Sequence, residues 1–178
     1  VKLTRLPTDD LAVALARAAP RALPEVFRSE GFCIWATRIA IEVARRHRVD
    51  AYALACGCRV TNADRSYQVD IGDPTAMRPG GWPGHLVAVL DRRWLVDLSL
   101  GQAARPALGI DVGPIAAAID DPEPFLRGRS DLAGVVRDSL VVYRSRPTDR
   151  TYRVGRAWSI PAVELAGAVD ALLAEIGR

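Results

Sequence analysis

The chain is nearly devoid of lysine: of its 24 basic residues all but Lys2 are arginine, and they are scattered without long blocks. With 21 acidic residues the formal net charge is only +3, and aromatics make up just 6% of the sequence. So little excess charge and so few rings do not furnish the basic stripe with interleaved aromatics that nucleic acid requires. A coding bias toward high GC explains the arginine and alanine richness, and no nucleic-acid partner is expected. Long apolar runs are missing too. None approaches the roughly 18 to 20 residues that cross a bilayer, so no membrane association is expected. Val1 to Asp10 has neither the basic start nor the apolar stretch of a signal peptide, and the expected location is cytoplasmic. Three cysteines, an odd number, do not build a disulfide framework, so each thiol has to be judged alone. What the chain does have is 49% hydrophobic content over 178 residues, enough for one substantial core and a single domain over 1–178.

Periodicity supplies the elements. Asp9 to Ala19 carries Leu11, Leu15 and Ala18 at helical spacing, with Thr8 as cap and Pro20 as stop. Cys33 to His47 is the strongest helix, with Ala36, Ile39, Ala40 and Val43 in one stripe. Ala51 to Thr61 and Tyr67 to Ile71 read as strands about an Asn62-Ala63-Asp64 turn. The Gly- and Pro-rich segment from Pro79 to Gly84 delivers the chain into His85 to Leu90. A turn at Asp91 to Arg93 then leads to a second run from Trp94 to Leu100. Leu140 to Tyr143 and Tyr152 to Val154 are further strand candidates. Val163 to Ile176 is an amphipathic helix opened by Pro161. Residues 101 to 138 are the least readable part.

Three residues carry the chemistry. Cys33 stands at the start of the strongest helix, just after Ser29-Glu30-Gly31, where unpaired N–H groups and the helix dipole favour a thiolate, the reactive form. His85 begins a strand directly after the Gly-rich loop. The other histidine, His47, lies at a helix C-terminus among arginines, where the dipole suits an imidazolium without any further role. Asp97 is the most telling, because in Trp94-Leu95-Val96-Asp97-Leu98-Ser99-Leu100 a carboxylate interrupts an apolar strand and is costly there unless paired. Hairpin parity tests that pairing. A three-residue loop, Asp91 to Arg93, sets Leu90 opposite Trp94 and puts His85, Val87, Asp97 and Ser99 on one face. A two-residue loop would separate His85 from Asp97 unless a bulge restored the register.

Cys33 opening Cys-Ile-Trp-Ala-Thr-Arg-Ile-Ala-Ile-Glu-Val-Ala-Arg-Arg-His-Arg-Val-Asp-Ala, then Gly84-His85, then Trp94-Leu95-Val96-Asp97, resembles the transglutaminase-like superfamily, of an uncharacterised bacterial branch. The order is cysteine on a helix, histidine on a strand, aspartate on the next strand, and the likeness spans roughly residues 30 to 105. It implies an α+β fold with a papain-like, transglutaminase-like core, in which an N-terminal nucleophile helix packs on an antiparallel β-sheet. It also implies a catalytic triad of Cys33, His85 and Asp97, with Cys33 as nucleophile, His85 as general base and acid, and Asp97 orienting the histidine. The expected reaction is acyl transfer through an acyl-enzyme on Cys33, from an amide, ester or thioester of a small molecule or peptide to an amine or water. No cofactor is needed. Hydrolysis by a thiol peptidase or amidase is the alternative, and a catalytically silent peptide-binding module of the same fold is a further one.

Many members of that superfamily carry a tryptophan beside the histidine. Here Leu86 and Val87 follow it, and the nearest aromatic is Trp82. The backbone N–H of Cys33 is a natural oxyanion donor, and Gln102 offers a side-chain amide, set against its plainer reading as a polar turn residue. Trp35, Trp82 and Trp94 lie near the triad in sequence, where they would either line a cleft that excludes water or pack in the core. Cys56 and Cys58 point to one face of their strand. Their spacing is not that of a structural zinc site, so with His47 or His85 they are not expected to bind metal.

Overall fold

The computed structural model describes residues 5–25, 31–72 and 82–178. Ser29, Glu30 and the Pro79 to Gly81 part of the Gly-rich loop lie outside the described residues. The protein is α+β. Its elements run α1 (Thr8–Ala22), α2 (Cys33–Arg46), β1 (Ala51–Thr61), β2 (Gln68–Ile71), β3 (His85–Leu90) and β4 (Trp94–Asp97). They continue with β5 (Ile115–Ala118), α3 (Pro122–Leu126), β6 (Asp131–Val136), β7 (Ser139–Ser145), α4 (Arg156–Ser159) and α5 (Ala162–Ile176). No helix among the described residues is long and apolar enough to cross a membrane.

One antiparallel sheet organises the molecule, in the order β5-β4-β3-β1-β7-β6, with β2 also pairing β1. The eleven-residue β1 is its spine: Ala51 to Cys56 pair with β3, Cys58 to Thr61 pair with β2 on the same side, and Cys56 to Thr61 pair with β7 on the other. Alternation along the strands divides the interior. Ala88, Leu90, Val96 and Leu98 face a core shared with α1, α2 and α5, whose buried stripes include Leu11, Leu15, Ile39, Val43, Leu165 and Val169. Leu54, Val87, Val89, Leu95 and Val141 face the opposite side, closed by Leu100, Ile110, Phe125 and Leu126. At ~25 cal/mol per Å² of apolar surface removed from water, these two interiors are what hold helices to sheet.

Local chemistry moves several element ends away from the sequence expectation. The first helix starts at Thr8 with no side-chain cap and continues through Pro20 to Ala22. Pro20 lies in the last turn, where only its own missing N–H is forfeited, and the Thr8 hydroxyl donates to Asp91 instead of capping. The strand expected to reach Leu100 stops at Asp97. There the carboxylate Oδ1 accepts from the Ser99 backbone N–H at 2.9 Å, turning the chain into a 3-10 segment over Leu100–Ala103. Tyr152 to Val154 is likewise a 3-10 turn and not a strand: Asp149 accepts from the Thr151 N–H at 2.9 Å and from its hydroxyl at 2.6 Å, which initiates it. The unreadable stretch 101 to 138 contains β5, α3 and the whole of the edge strand β6.

Candidate active site

The β3–β4 hairpin closes with a three-residue loop. Leu90 pairs with Trp94, Val89 with Leu95 and Ala88 with Val96, and the Arg93 N–H donates to the Leu90 carbonyl at 2.9 Å. Asp91 and Arg92 take positive φ to make that turn. This parity brings His85 and Asp97 to one side of the sheet, where His85 Nε2 lies 2.6 Å from Asp97 Oδ2 and both side chains are fully buried.

The Asp97 carboxylate is satisfied entirely by donors. Oδ2 accepts from His85 and from the Tyr143 hydroxyl at 2.8 Å, and Oδ1 accepts from the Ser99 N–H at 2.9 Å and the Ser99 hydroxyl at 3.0 Å. Burial opposes its charge, but His85, Tyr143 and Ser99 more than offset that and hold the carboxyl below its usual range. For His85, burial likewise opposes the imidazolium. The Asp97 charge and hydrogen bond outweigh it, helped by Cys33, and the ring is pushed up to about 10. A buried ion pair of this kind persists only when every remaining lone pair is used, as it is here. Burial also pushes the Tyr143 hydroxyl well above its ordinary value, so it stays a donor.

Two small residues in β1 make room for this arrangement. Cys56 stands directly opposite His85 and Cys58 opposite Tyr143, so the two rings meet across the slim thiols with centroids 6.4 Å apart and planes at 22°. Both thiols are fully buried, and burial raises their pKa well above the ordinary value. Among the described residues no group of three or more His, Cys, Asp or Glu side chains is placed to hold a metal ion. Gly72, at the end of β2, admits His85 closely: with φ at +75°, it sits where a Cβ would come within 2.5 Å of the His85 nitrogen.

Cys33 is the first residue of α2, behind Phe32, and is 5% exposed. Its backbone N–H lies in the first turn, where no carbonyl of the same helix can accept it. One turn on, the Thr37 hydroxyl donates to the Leu86 carbonyl at 2.8 Å, which ties α2 to the residue beside His85. The thiol is near enough to the imidazole to help, after Asp97, in raising its pKa. Since Nε2 faces Asp97, Nδ1 is the nitrogen left for chemistry. Beside it lies the side-chain amide of Gln102, whose Nε2 is 3.0 Å away and which is itself buried. That amide donates to Nδ1 of a neutral ring. After a half-turn its oxygen would accept from an imidazolium.

The tryptophans separate. Trp82 belongs to the buried cluster around Cys33, Ile34, Ala55, Leu86 and Tyr152. Its indole folds back over Gly84, where a Cβ would strike the ring at 2.0 Å, and its N–H donates to Thr151 at 2.9 Å. Trp35 and Trp94 instead pack against the core beneath α1, and the Trp94 N–H donates to Asp9 at 2.7 Å. Trp35 meets this core and not the Cys33 cluster because it lies two residues past Cys33 on the helix, about 200° around the axis. His47 departs from the imidazolium expectation. It is buried, its Nδ1 accepts from the Leu6 N–H at 3.3 Å, and burial lowers its pKa.

Sequence reasoning did not find Tyr143, Thr37, Gly72 or Tyr152. The first three act through partners distant in sequence. Tyr152 is fully buried beside Cys33, and its hydroxyl has no hydrogen-bond partner among the described residues. Comparisons with protein families, with curated proteins and with solved structures give no match to the chain.

Proposed function

We propose that the chain is a cysteine-dependent acyl-transfer enzyme of the transglutaminase-like kind. The observation that carries this reading is the fully buried His85–Asp97 pair, with the carboxylate held by four donors and Cys33 nearby on the first turn of α2. Nothing in core packing calls for a fully buried ion pair beside a thiol at a helix start.

In the proposed cycle, the proton shared by Cys33 and His85 rests on His85 Nδ1, so that Cys33 attacks as the thiolate while Nε2–H stays hydrogen-bonded to Asp97. The thiolate adds to the carbonyl carbon of an amide, ester or thioester, and the Cys33 backbone N–H donates to the resulting oxyanion. As the tetrahedral species collapses, the leaving amine, alcohol or thiol takes the proton from Nδ1, and a thioester remains on Cys33. An incoming amine or water then gives its proton to Nδ1 and attacks that thioester. The second collapse returns the proton to the Cys33 sulfur and releases the product. Asp97 keeps its negative charge throughout and sets the tautomer. The deep burial of both His85 and Cys33 favours an amine acceptor over water.

Incubation with p-nitrophenyl acetate, followed by peptide mapping, tests the reading. Acetylation of Cys33, absent in Cys33→Ala and discharged faster by added amine than by buffer, is the expected outcome. Discharge indifferent to amine would redirect the assignment to a thiol amidase or peptidase, and no adduct on Cys33 would overturn it.

A further inference from the structure

Beside the Cys33 cluster lies a cavity of about 510 Å³ between α2, β1 and the segment leading into α5, with Arg38, Arg150, Arg153, Tyr52 and Trp158 in its lining. Its size suits a small organic ligand. The cavity and the candidate active site share a wall: Ala53 belongs to both, and Trp158 packs edge-on against Tyr152, at 4.9 Å, which in turn meets Trp82 at 5.6 Å.

Its charge is one-sided. Among the described residues of the lining Glu42 is the only carboxylate, and it is already engaged by Arg45 at 2.6 Å and Arg46 at 3.8 Å. Arg38 is fixed in the wall by donating to the Ala157 carbonyl at 3.0 Å and to the Ile160 carbonyl at 2.5 Å, neither of which neutralises it. Arg150 and Arg153 have no carboxylate in ion-pair contact among the described residues, and the nearby Asp149 is occupied by Thr151. The guanidinium groups of Arg38 and Arg153 both lie over the Trp158 ring, at 5.8 and 5.9 Å from its centroid. Both charges therefore stand at the same ring, with no carboxylate among the described residues in ion-pair contact with either. Guanidinium forks match the oxygens of phosphate and carboxylate, and the two rings add flat surface for an organic body.

We infer that this cavity is an anion-binding subsite, which takes the phosphate or carboxylate group of a small molecule bearing a planar or acyl portion. Resting on the acyl-transfer reading, the subsite anchors the charged end of a substrate whose reactive carbonyl reaches Cys33 past Tyr152. Substrates of this enzyme are therefore anionic.

Calorimetric titration of the full chain and of Cys33→Ala with phenyl phosphate, phthalate and neutral phenol tests the site without relying on thiol chemistry. At least one anion is expected to bind, phenol much more weakly, and Arg150→Ala/Arg153→Ala to weaken the anion at least about tenfold. Those two arginines are exposed, so the variant should keep its fold, checked by its melting curve. Arg127→Ala/Arg144→Ala, on the far surface, should bind as the parent does. A preference for phenyl phosphate or for phthalate identifies the anionic group. No anion binding, or equal binding by the Arg150/Arg153 variant, overturns the subsite. The link to Cys33 is read separately, as slower iodoacetamide labelling of Cys33 at saturating anion. Unchanged labelling overturns that link and leaves the acyl-transfer reading to its own test.

Discussion

Replacing Asp97 by asparagine removes one charge and leaves the shape of the side chain intact, and the four donors around it decide how the site responds. An amide must turn its NH₂ toward either His85 and Tyr143 or Ser99. The two hydroxyls can rotate to accept, but the Ser99 backbone N–H cannot. The amide oxygen therefore stays with Ser99 and the NH₂ faces His85. With the Asp97 charge gone, burial dominates the ring, which becomes neutral, accepts through Nε2 and carries its proton on Nδ1. That is the wrong tautomer for a base facing Cys33, and a fall in rate of about 10³- to 10⁴-fold is expected. A donor left imperfectly paired in the interior costs about 1–3 kcal/mol, so the protein should remain folded. Two histidines make the assay simple. Nitrogen NMR of the rings at neutral pH should show His85 doubly protonated in the parent and protonated on Nδ1 alone in Asp97→Asn, with labelling of Cys33 by iodoacetamide slowed at least about tenfold. A folded Asp97→Asn that keeps Nε2–H and the parental labelling rate would refute the reasoning.

Tyr143→Phe keeps the ring packing and removes one hydrogen bond to a buried carboxylate. A loss of about 1.5–3 kcal/mol is expected, read as a melting point lower by several degrees, and an unchanged melting point would show that the hydroxyl contributes nothing. His85 links stability to alkaline pH. Its folded pKa, pushed up to about 10, exceeds the unfolded value of about 6.5, so its contribution is complete below about pH 6.5 and is lost as pH rises toward about 10. Denaturation midpoints between about pH 7 and 7.8, between the ranges where His47 and the buried thiols add most of their own slopes, should fall in the parent and stay nearly level in His85→Gln. An equal slope in both would contradict the assignment. Tyr152→Phe removes a buried hydroxyl that has no partner, so stability should be unchanged or slightly higher. If that hydroxyl serves the substrate, acetylation of Cys33 should slow, and equal rates would assign it no role there.

Much of this site was legible because it rests on local rules. The parity of the Asp91 to Arg93 loop comes from counting residues, and it aligns His85 with Asp97. The carboxylate in an apolar strand signalled a buried partner, and Ser99 was already expected on the same face. Cys33 at the head of α2 came from helical periodicity. The features that escaped depend on pairing between distant segments. Tyr143 could be assigned to a strand, but its reach to Asp97 depends on β7 lying next to β1 and on small cysteines at 56 and 58. Gly72 looks like any turn glycine until His85 is packed against it. Trp35 and Trp82 are equally aromatic in sequence, and only the packing of α2 against α5 and the sheet turns one away from the thiol. The region 101 to 138 was opaque because its elements are short and bounded by Gly and Pro, so neither period has room to repeat.

The central claim is that Cys33 is an activated nucleophile, and its alkylation rate tests this most directly. Iodoacetamide at neutral pH, with modified peptides resolved by mass spectrometry, should label Cys33 faster than a simple peptide thiol, while the buried Cys56 and Cys58 stay unmodified in the folded protein. The advantage should vanish in His85→Gln. A Cys33 that reacts no faster than a free peptide thiol, or that keeps its rate without His85, would contradict the account.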